Sequence, residues 1–185
     1  EPFMVKPGNA LAFDGTNDYV NLSSNITNLN ISSPATIEFW YKSPNDPPSV
    51  ADATLSIGDG VGTTNQILIR YGSFTGGIAN EIMTIGLYTG GSNKSNAHFV
   101  DVNTSAYVNT WHHYAIVADG TDYKMYVDGV ESTAYSVTTG ENGDFLENIT
   151  PTVMRLGASH YELSGSYAKG EMDEFRIWNT ARSTF

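Results

Sequence analysis

The sequence predicts an all-β fold of the sandwich class. Short apolar or alternating segments recur along the chain, each bounded by Gly, Asn, Asp or Pro, while helical periodicity is nearly absent. Charged residues make up only 16 % of the chain, so Ser, Thr, Asn and Gly must supply the polar surface, which suits strands and turns. The 185 residues, 40 % of them hydrophobic, are enough for one domain with a packed core.

Strand-like segments are spaced as in a sandwich rather than as in alternating strand–helix units. In the segment 35–42, Ile37, Phe39 and Tyr41 alternate with Glu38, Trp40 and Lys42, so the first set is predicted to face the core. The predicted strands are Leu11–Phe13, Tyr19–Leu22, Ala35–Lys42, Thr54–Ile57, Gln66–Tyr71, Ile82–Tyr88, His98–Val102, Trp111–Ala118, Tyr123–Val127, Val153–Leu156 and Glu171–Trp178.

Two Asp-Gly pairs mark turns in the middle of the chain. Asp119–Gly120 separates Trp111–Ala118 from Tyr123–Val127, and such pairs tolerate the positive φ that tight hairpins demand. We therefore predict an antiparallel hairpin there, followed by a second turn at Asp128–Gly129. The segment Ser136–Thr150 is predicted to be a long loop.

Charge and cysteine content exclude several classes of protein. A net charge of −11 without a basic run disfavours binding to nucleic acid or to anionic membranes, whereas acidic loops suit calcium. The absence of cysteine excludes disulfides, thiolate zinc sites and a cysteine nucleophile. No segment approaches the roughly 20 apolar residues of a membrane span. We expect residues 1–185 to form one monomeric domain excised from a larger secreted protein.

Four segments, taken in their order, resemble one family. They read ALAFDGTNDYV at 10–20, TIEFWYK at 36–42, WHHYAIVADG with KMYVDG at 111–129, and GEMDEFRIWN at 170–179. Together they resemble laminin-G-like domains of the concanavalin-A-like lectin and glucanase superfamily, with pentraxins as more distant relatives. The resemblance implies a jelly-roll β-sandwich of two antiparallel sheets, in which the first and last strands lie side by side.

The same resemblance implies a structural calcium ion where the first loop meets the last strand. The implied carriers are Asp14, Gly15 and Asp173. Calcium takes six to eight oxygen ligands, many of them carbonyls that a glycine-containing loop can present, and a cation offsets the burial of a carboxylate. The alternative is that Asp14 makes a turn and Asp173 accepts hydrogen bonds from backbone amides.

Two surfaces are candidates for ligand binding. In pentraxins the ligand site follows a strand that ends in Leu-Gly, and the matching loop here holds His160, Tyr161 and Glu162, an aromatic face beside polar groups that suits a sugar. A solvated loop without a ligand is the alternative. The second surface is the concave sheet, on which we expect Arg70, Tyr88 and His98 to lie on one face.

Catalysis is not predicted. Laminarinase-type hydrolases of this fold carry a Glu-X-Asp-X-X-Glu string, and here Glu171 and Asp173 begin it but Arg176 replaces the second glutamate. His112 and His113 are neighbours on a strand, so they face opposite sides and cannot form a joint pair. We therefore predict a calcium-stabilised, extracellular carbohydrate-binding or adhesion module whose ligand is a glycan or cell-surface glycoconjugate. The alternatives are a protein- or peptide-binding domain, a structural spacer, or a divergent glycoside hydrolase.

Overall fold

A computed structural model describes most of the chain. The described residues are 8–29, 32–47, 50–62, 64–72, 80–101, 103–132, 135–139, 143–160 and 167–185. They form thirteen strands: β1 (Leu11–Asp14), β2 (Val20–Asn21), β3 (Ala35–Lys42), β4 (Ala51–Gly58), β5 (Gln66–Gly72), β6 (Glu81–Thr89), β7 (Ser92–Val100), β8 (His112–Ala118), β9 (Tyr123–Val127), β10 (Val130–Glu131), β11 (Tyr135–Thr139), β12 (Val153–Leu156) and β13 (Lys169–Trp178). Two short 3₁₀ helices cover Ser23–Asn28 and Thr104–Tyr107.

The strands form two antiparallel sheets, which confirms the predicted jelly-roll β-sandwich. The six-stranded sheet has the order β1-β13-β3-β8-β9-β10, and the seven-stranded sheet has the order β11-β7-β6-β5-β4-β12-β2. The first and last strands pair directly, as the resemblance implied, with Leu11 opposite Met172. This pairing covers the edge of the long strand β13 and leaves the four-residue β1 as the edge strand, and short edge strands are less prone to pair with other chains. Among the described residues, no helix is long and apolar enough to cross a membrane.

The core lies between the inner faces of the two sheets. Ile37, Phe39 and Tyr41 are at most 2 % exposed, so the alternation predicted for β3 is confirmed. Tyr71 from the other sheet meets Tyr41 edge to face, with ring centroids 5.2 Å apart. Edge-to-face pairs of this kind add stability beyond the area that they bury, so the two sheets are joined by aromatic contacts as well as aliphatic packing.

The outer face of the six-stranded sheet is crossed by the C-terminal residues 179–185. The backbone amide of Arg182 donates to Thr36 Oγ1 (3.0 Å), and Thr36 in turn donates to the carbonyl of Thr180 (2.7 Å). Glu38 was expected to face outward, but it is buried beneath this segment, where the Arg182 guanidinium pairs with it and Arg176 lies 3.5 Å away. Burial of a carboxylate is tolerated here because two guanidinium groups neutralise it.

The structure corrects the predicted strands in several places: β10 was not predicted, β4 begins at Ala51 rather than Thr54, and the largest differences are in β7 and β11. β7 begins at Ser92 rather than His98, because the turn at Gly90–Gly91 joins β6 and β7 directly. β11 lies within the segment predicted as a long loop and pairs with β7, with Ser136 opposite His98. The hairpin of β8 and β9 and the turn at Asp128–Gly129 are as predicted.

Candidate functional site

The central strands β4, β5 and β6 of the seven-stranded sheet are buried on both faces, and the face that they turn away from the core is mostly polar. In β5, Ile67, Ile69 and Tyr71 point into the core, so the alternate residues point to the opposite face, although they are buried as well. We call this opposite side the polar face; its central residues are Ser56, Gln66, Leu68, Arg70, Thr84, Gly86, Asn96 and His98. A sheet that buries hydrogen-bonding groups over a second face is a place where a ligand can be bound.

The register brings the predicted residues of the concave sheet onto this one face. Arg70 is opposite Thr84, and Thr84 is opposite His98, so Arg70 and His98 are about 10 Å apart, two strand spacings. Tyr88 is half-buried and is opposite Gln66, two rows along the same face from Arg70 and about 13 Å away. Arg70 and His98 are themselves 7 % and 1 % exposed, so they lie within the folded chain rather than on an open surface.

His160, predicted as part of a separate loop site, lies over the same face. Its Nδ1 is 2.8 Å from Ser56 Oγ, and its backbone amide donates to that oxygen at 3.0 Å. A Cβ at Gly58 would come within 2.8 Å of His160 Nε2, so only glycine leaves room for the imidazole. Burial lowers the pKa of His160, which favours the neutral ring at neutral pH. Tyr161 and Glu162 lie outside the described residues.

Glu81 is a central residue of this site that the sequence did not reveal. Its Oε1 accepts hydrogen bonds from Thr84 Oγ1 and from His98 Nδ1, the latter at 2.6 Å. Strict alternation would place Glu81 on the core side with Met83 and Ile85. A bulge between Glu81 and Met83 breaks the alternation and turns the carboxylate onto the polar face.

Several polar atoms near this face have no hydrogen-bond partner among the described residues. They are Gln66 Oε1, Glu81 Oε2, His98 Nε2 and Ser159 Oγ, all in side chains no more than 2 % exposed. A buried polar atom without a partner costs about 1–3 kcal/mol, so such atoms are rare and call for water or a ligand as the missing partner. Their concentration here distinguishes the polar face from an ordinary packed interface.

Asp14 and Asp173, the two carboxylates named for calcium, lie well apart in the structure. Asp14 is opposite Lys169 in the β1–β13 pair, whereas Asp173 lies at the other end, about 13 Å further along the strand. Calcium–oxygen distances of about 2.5 Å keep two ligands of one ion within about 5 Å of each other. Asp14 Oδ1 instead accepts the amides of Thr16 (2.7 Å) and Asn17 (3.3 Å), as in a polar turn beside Gly15.

Asp173 has a local role of the same kind. Its Oδ1 accepts the backbone amide of Glu174 at 2.7 Å, next to the bulge in β13, where Glu174 has a φ of +55°. Among the described residues, no group of three or more His, Cys, Asp or Glu side chains is arranged to hold a metal ion. The residues named for calcium therefore do not fit one joint site.

The segment Glu171–Arg176, which resembles the start of a hydrolase motif, forms ion pairs with neighbouring side chains. Glu171 pairs with Lys42 at 2.7 Å, and Arg176, in place of the second acid, contacts Glu38 and Glu174. An arginine keeps its proton at all accessible pH values and cannot act as the acid–base group of hydrolysis.

His112 and His113 point to opposite sides of β8, as predicted from their adjacency. The His112 ring lies 4.8 Å from that of Tyr107, and the His113 ring lies 5.4 Å from that of Trp40. The pair therefore offers no joint ligand set.

Two antiparallel sheets in this order, with paired terminal strands and a hydrogen-bonding face opposite the core, define a concanavalin A-like β-sandwich. The chain belongs to the laminin-G-like family described as the concanavalin A-like lectin/glucanases superfamily, whose model matches residues 14–184. A comparison with curated protein sequences gives no match.

Solved structures with the same fold come from several kinds of protein. The carbohydrate-binding module CBM40 of the Ruminococcus gnavus IT-sialidase, bound to α2,3-sialyllactose, has a TM-score of 0.70 at 16 % identity, covering 95 % of this chain and 92 % of that one. Domain 4 of AbnA, a GH43 extracellular arabinanase from Geobacillus stearothermophilus in complex with arabinotriose, has a TM-score of 0.58 at 16 % identity, covering 96 % and 73 %. Domains LG4-5 of the mouse laminin α1 chain have a TM-score of 0.59 at 12 % identity, covering 91 % and 40 %. At these identities the likeness shows the fold alone.

Proposed function

We propose that this protein is a non-catalytic carbohydrate-binding module of an extracellular protein and that it binds its glycan at the polar face. Support for the ligand class comes from the family and from structural neighbours solved with sialyllactose and arabinotriose. Support for the place comes from this chain's own geometry. Because fold does not determine function, the proposal depends on the site rather than on the likeness.

The observation that carries the proposal is the set of buried polar atoms that have no hydrogen-bond partner among the described residues. Gln66 Oε1 and Glu81 Oε2 are acceptors, and so is Nε2 of a neutral His98 ring whose Nδ1 donates to Glu81, whereas the Ser159 hydroxyl can also donate. A sugar hydroxyl donates one hydrogen bond and accepts others, so it can satisfy neighbouring atoms of opposite kind. A buried polar atom without a partner lowers the stability of the folded protein. Such atoms are expected at binding sites, where the ligand supplies the missing hydrogen-bond partner.

The composition of the face also fits a glycan. Arg155 joins it in the row of Ser56, and its guanidinium lies 4.5 Å from the centre of the Tyr19 ring. Half-buried Tyr88, in the neighbouring row, offers an aromatic surface of the kind that packs against sugar rings. A sugar hydroxyl both accepts and donates hydrogen bonds. The guanidinium and imidazole groups of this face can donate to it, and the amide and carboxylate oxygens can accept from it.

Gln66→Leu tests the proposal. Leucine is close to glutamine in size but removes the unpartnered oxygen, so the free energy of unfolding is expected to stay within about 1 kcal/mol of the wild type or to rise. Glycan affinity is expected to fall at least tenfold, about 1.4 kcal/mol. Glycan-array screening of the wild type selects the ligand, and isothermal titration calorimetry then compares the proteins.

Lys124→Met is the matched control, since it also exchanges a polar side chain for an apolar one of similar length but lies on β9 of the other sheet. It should bind like the wild type. Equal affinity of the Gln66→Leu variant would place the glycan elsewhere on the molecule. If the wild type bound no glycan, the protein-binding alternative would be favoured.

Calcium stabilisation stays a separate prediction from the family resemblance. Because Asp14 and Asp173 lie too far apart for one ion, calcium can be held at one of them but not by both. At a hundredfold excess over its dissociation constant, a calcium ion that binds only the folded state stabilises by about 2.7 kcal/mol. Thermal unfolding with calcium and with a chelator is expected to show this stabilisation, and only one of Asp14→Asn and Asp173→Asn should abolish it. An unchanged midpoint on chelation would contradict the prediction.

A further inference from the structure

A second concave site lies away from the polar face, at one end of the six-stranded sheet. It is a cleft of about 310 Å³ between the 3₁₀ helix Thr104–Tyr107 on one side and the turn from β9 to β10 on the other. Its floor is apolar and buried: Ile82 and Tyr107 are 1 % and 6 % exposed, and Val127 completes it. Nothing in the proposed function uses this cleft.

The lining of the cleft also includes residues with hydrogen-bonding side chains. Asn103 lies on one side, with Glu131 and Ser132 on the other, and Glu131 Oε2 accepts a hydrogen bond from the Tyr126 hydroxyl at 3.1 Å, which leaves Oε1 for a ligand. An amide, a carboxylate and a hydroxyl supply donors as well as acceptors. An apolar floor with a few convergent polar groups is the usual make-up of a small-molecule site, and 310 Å³ is near the lower end of the range for such sites. The space suits one sugar ring rather than an extended oligosaccharide.

Two carboxylates in the walls are held in fixed orientations by neighbouring donors. Asp101 accepts a hydrogen bond from the Tyr107 hydroxyl at 2.7 Å and another from the amide of Asn103 at 2.9 Å. Asp128 is paired with His112 Nδ1 at 2.7 Å and accepts the amide of His113 at 2.9 Å. Each carboxylate has about four lone-pair sites, so acceptor capacity remains for the hydroxyls of a ligand. Fixed acceptors lose little conformational entropy when a ligand binds.

The charge of the cleft is opposite to that of the guanidinium groups on the polar face. Asp101, Asp128 and Glu131 contribute three carboxylates, and His112 is the single basic side chain of the lining. Burial acts to lower the pKa of His112, but its hydrogen bond to Asp128 and the charge of that residue raise it above the usual value. Even with His112 protonated, the lining keeps a net negative charge, which disfavours a carboxylated or sulfated sugar.

We propose that this cleft is a second ligand site, which binds one uncharged sugar residue through its hydroxyls. The apolar C–H face of the ring packs on Ile82 and Val127, while Asp101, Asp128 and Glu131 accept hydrogen bonds from the hydroxyls. The site is independent of the polar face, so it stands even if no glycan binds there. Two sites of opposite charge let one module contact two chemically different sugars.

Ala106→Trp tests the site without removing a hydrogen bond. Ala106 is exposed and lines the cleft, so an indole at this position would fill it. The probes are the methyl glycosides of glucose, galactose and mannose and their uronic-acid counterparts, titrated while amide resonances are followed by NMR. At least one neutral glycoside is expected to shift the resonances of residues that line the cleft. That glycoside should bind the Ala106→Trp variant at least tenfold more weakly than it binds the wild type. The matching uronic acid should bind the wild type at least tenfold more weakly than the neutral glycoside does.

Ala181→Trp is the matched control, because it makes the same exchange at an exposed alanine that does not line the cleft. It should bind like the wild type, and so should Gln66→Leu, which separates this site from the polar face. Shifts that the Ala106→Trp variant retains, or uronic acids that bind as well as neutral glycosides, would overturn the inference. The absence of cleft shifts with every neutral glycoside would overturn it as well.

Discussion

Replacing His98 by leucine is expected to lower the free energy of unfolding by about 3–5 kcal/mol, because it leaves a buried carboxylate without its main partner. His98 Nδ1 lies 2.6 Å from Glu81 Oε1, and the two side chains are 1 % and 0 % exposed. In the His98→Leu variant, the Thr84 hydroxyl would be the one hydrogen-bond donor left to the Glu81 carboxylate among the described residues. One hydroxyl cannot replace the solvation that the carboxylate loses on burial.

Urea unfolding of matched variants checks this explanation. His98→Asn keeps a donor near the position of Nδ1, so its loss of stability should be clearly smaller than that of His98→Leu. Adding Glu81→Gln to His98→Leu removes the stranded charge while keeping the shape of residue 81, and it should recover part of the loss. If the double variant were no more stable than His98→Leu alone, packing of the imidazole rather than the buried pair would explain the effect.

The fold could be predicted from the sequence because one property, period-two alternation, decides which residues face the core. In β3 the alternation assigned Ile37, Phe39 and Tyr41 to the core, and the strand has the predicted bounds Ala35–Lys42. It placed Glu38 on the outer face but could not predict that this carboxylate is buried, because Arg176 and Arg182, which cover it, are distant in sequence. Burial by a distant segment leaves no trace in the local pattern.

The candidate site was predicted only in part, for two physical reasons. Arg70, Tyr88 and His98 obey alternation in their strands, and the structure places them on one face. Glu81 does not obey it, because a bulge shifts the register, and a bulge is not visible in the residue pattern of β6. His160 reaches the same face through the chain after β12, packing over Gly58 and Ser56 in a neighbouring strand.

The separation of Asp14 from Asp173 could not be predicted from the sequence for a related reason. A family motif names residue types and their order, but the distance between Asp14 and Asp173 depends on the register of two strands far apart in sequence. Moving the register by two residues changes the separation by about 7 Å while preserving which face each residue occupies. Whether two acidic residues share an ion is therefore a property of the sheet rather than of the motif.

Asp52→Asn is expected to make the protein more stable at neutral pH and to change how its stability depends on pH. Asp52, in β4, is 7 % exposed and connects the two sheets, since its Oδ2 accepts hydrogen bonds from the amide of Lys169 (3.2 Å) and the hydroxyl of Tyr41 (3.4 Å). Burial raises the pKa of its carboxyl from 3.8 to about 6, outweighing the hydrogen bonds from Lys169 and Tyr41, which act to lower it. The folded state therefore holds this proton more tightly than the unfolded state does.

The sign of the pH effect follows from that difference. The stabilisation from the bound proton is fully present below pH 3.8 and is lost as the pH rises through about 6. At about 1.4 kcal/mol for each pH unit between the two pKa values, it amounts to at most about 3 kcal/mol. The asparagine variant has no proton to lose and can still accept from Lys169 and Tyr41. Urea unfolding of both proteins should show the variant gaining roughly 2–3 kcal/mol on the wild type between pH 4 and pH 7.5. A constant difference would mean that Asp52 titrates at an ordinary pKa and that its carboxylate is solvated in the folded protein.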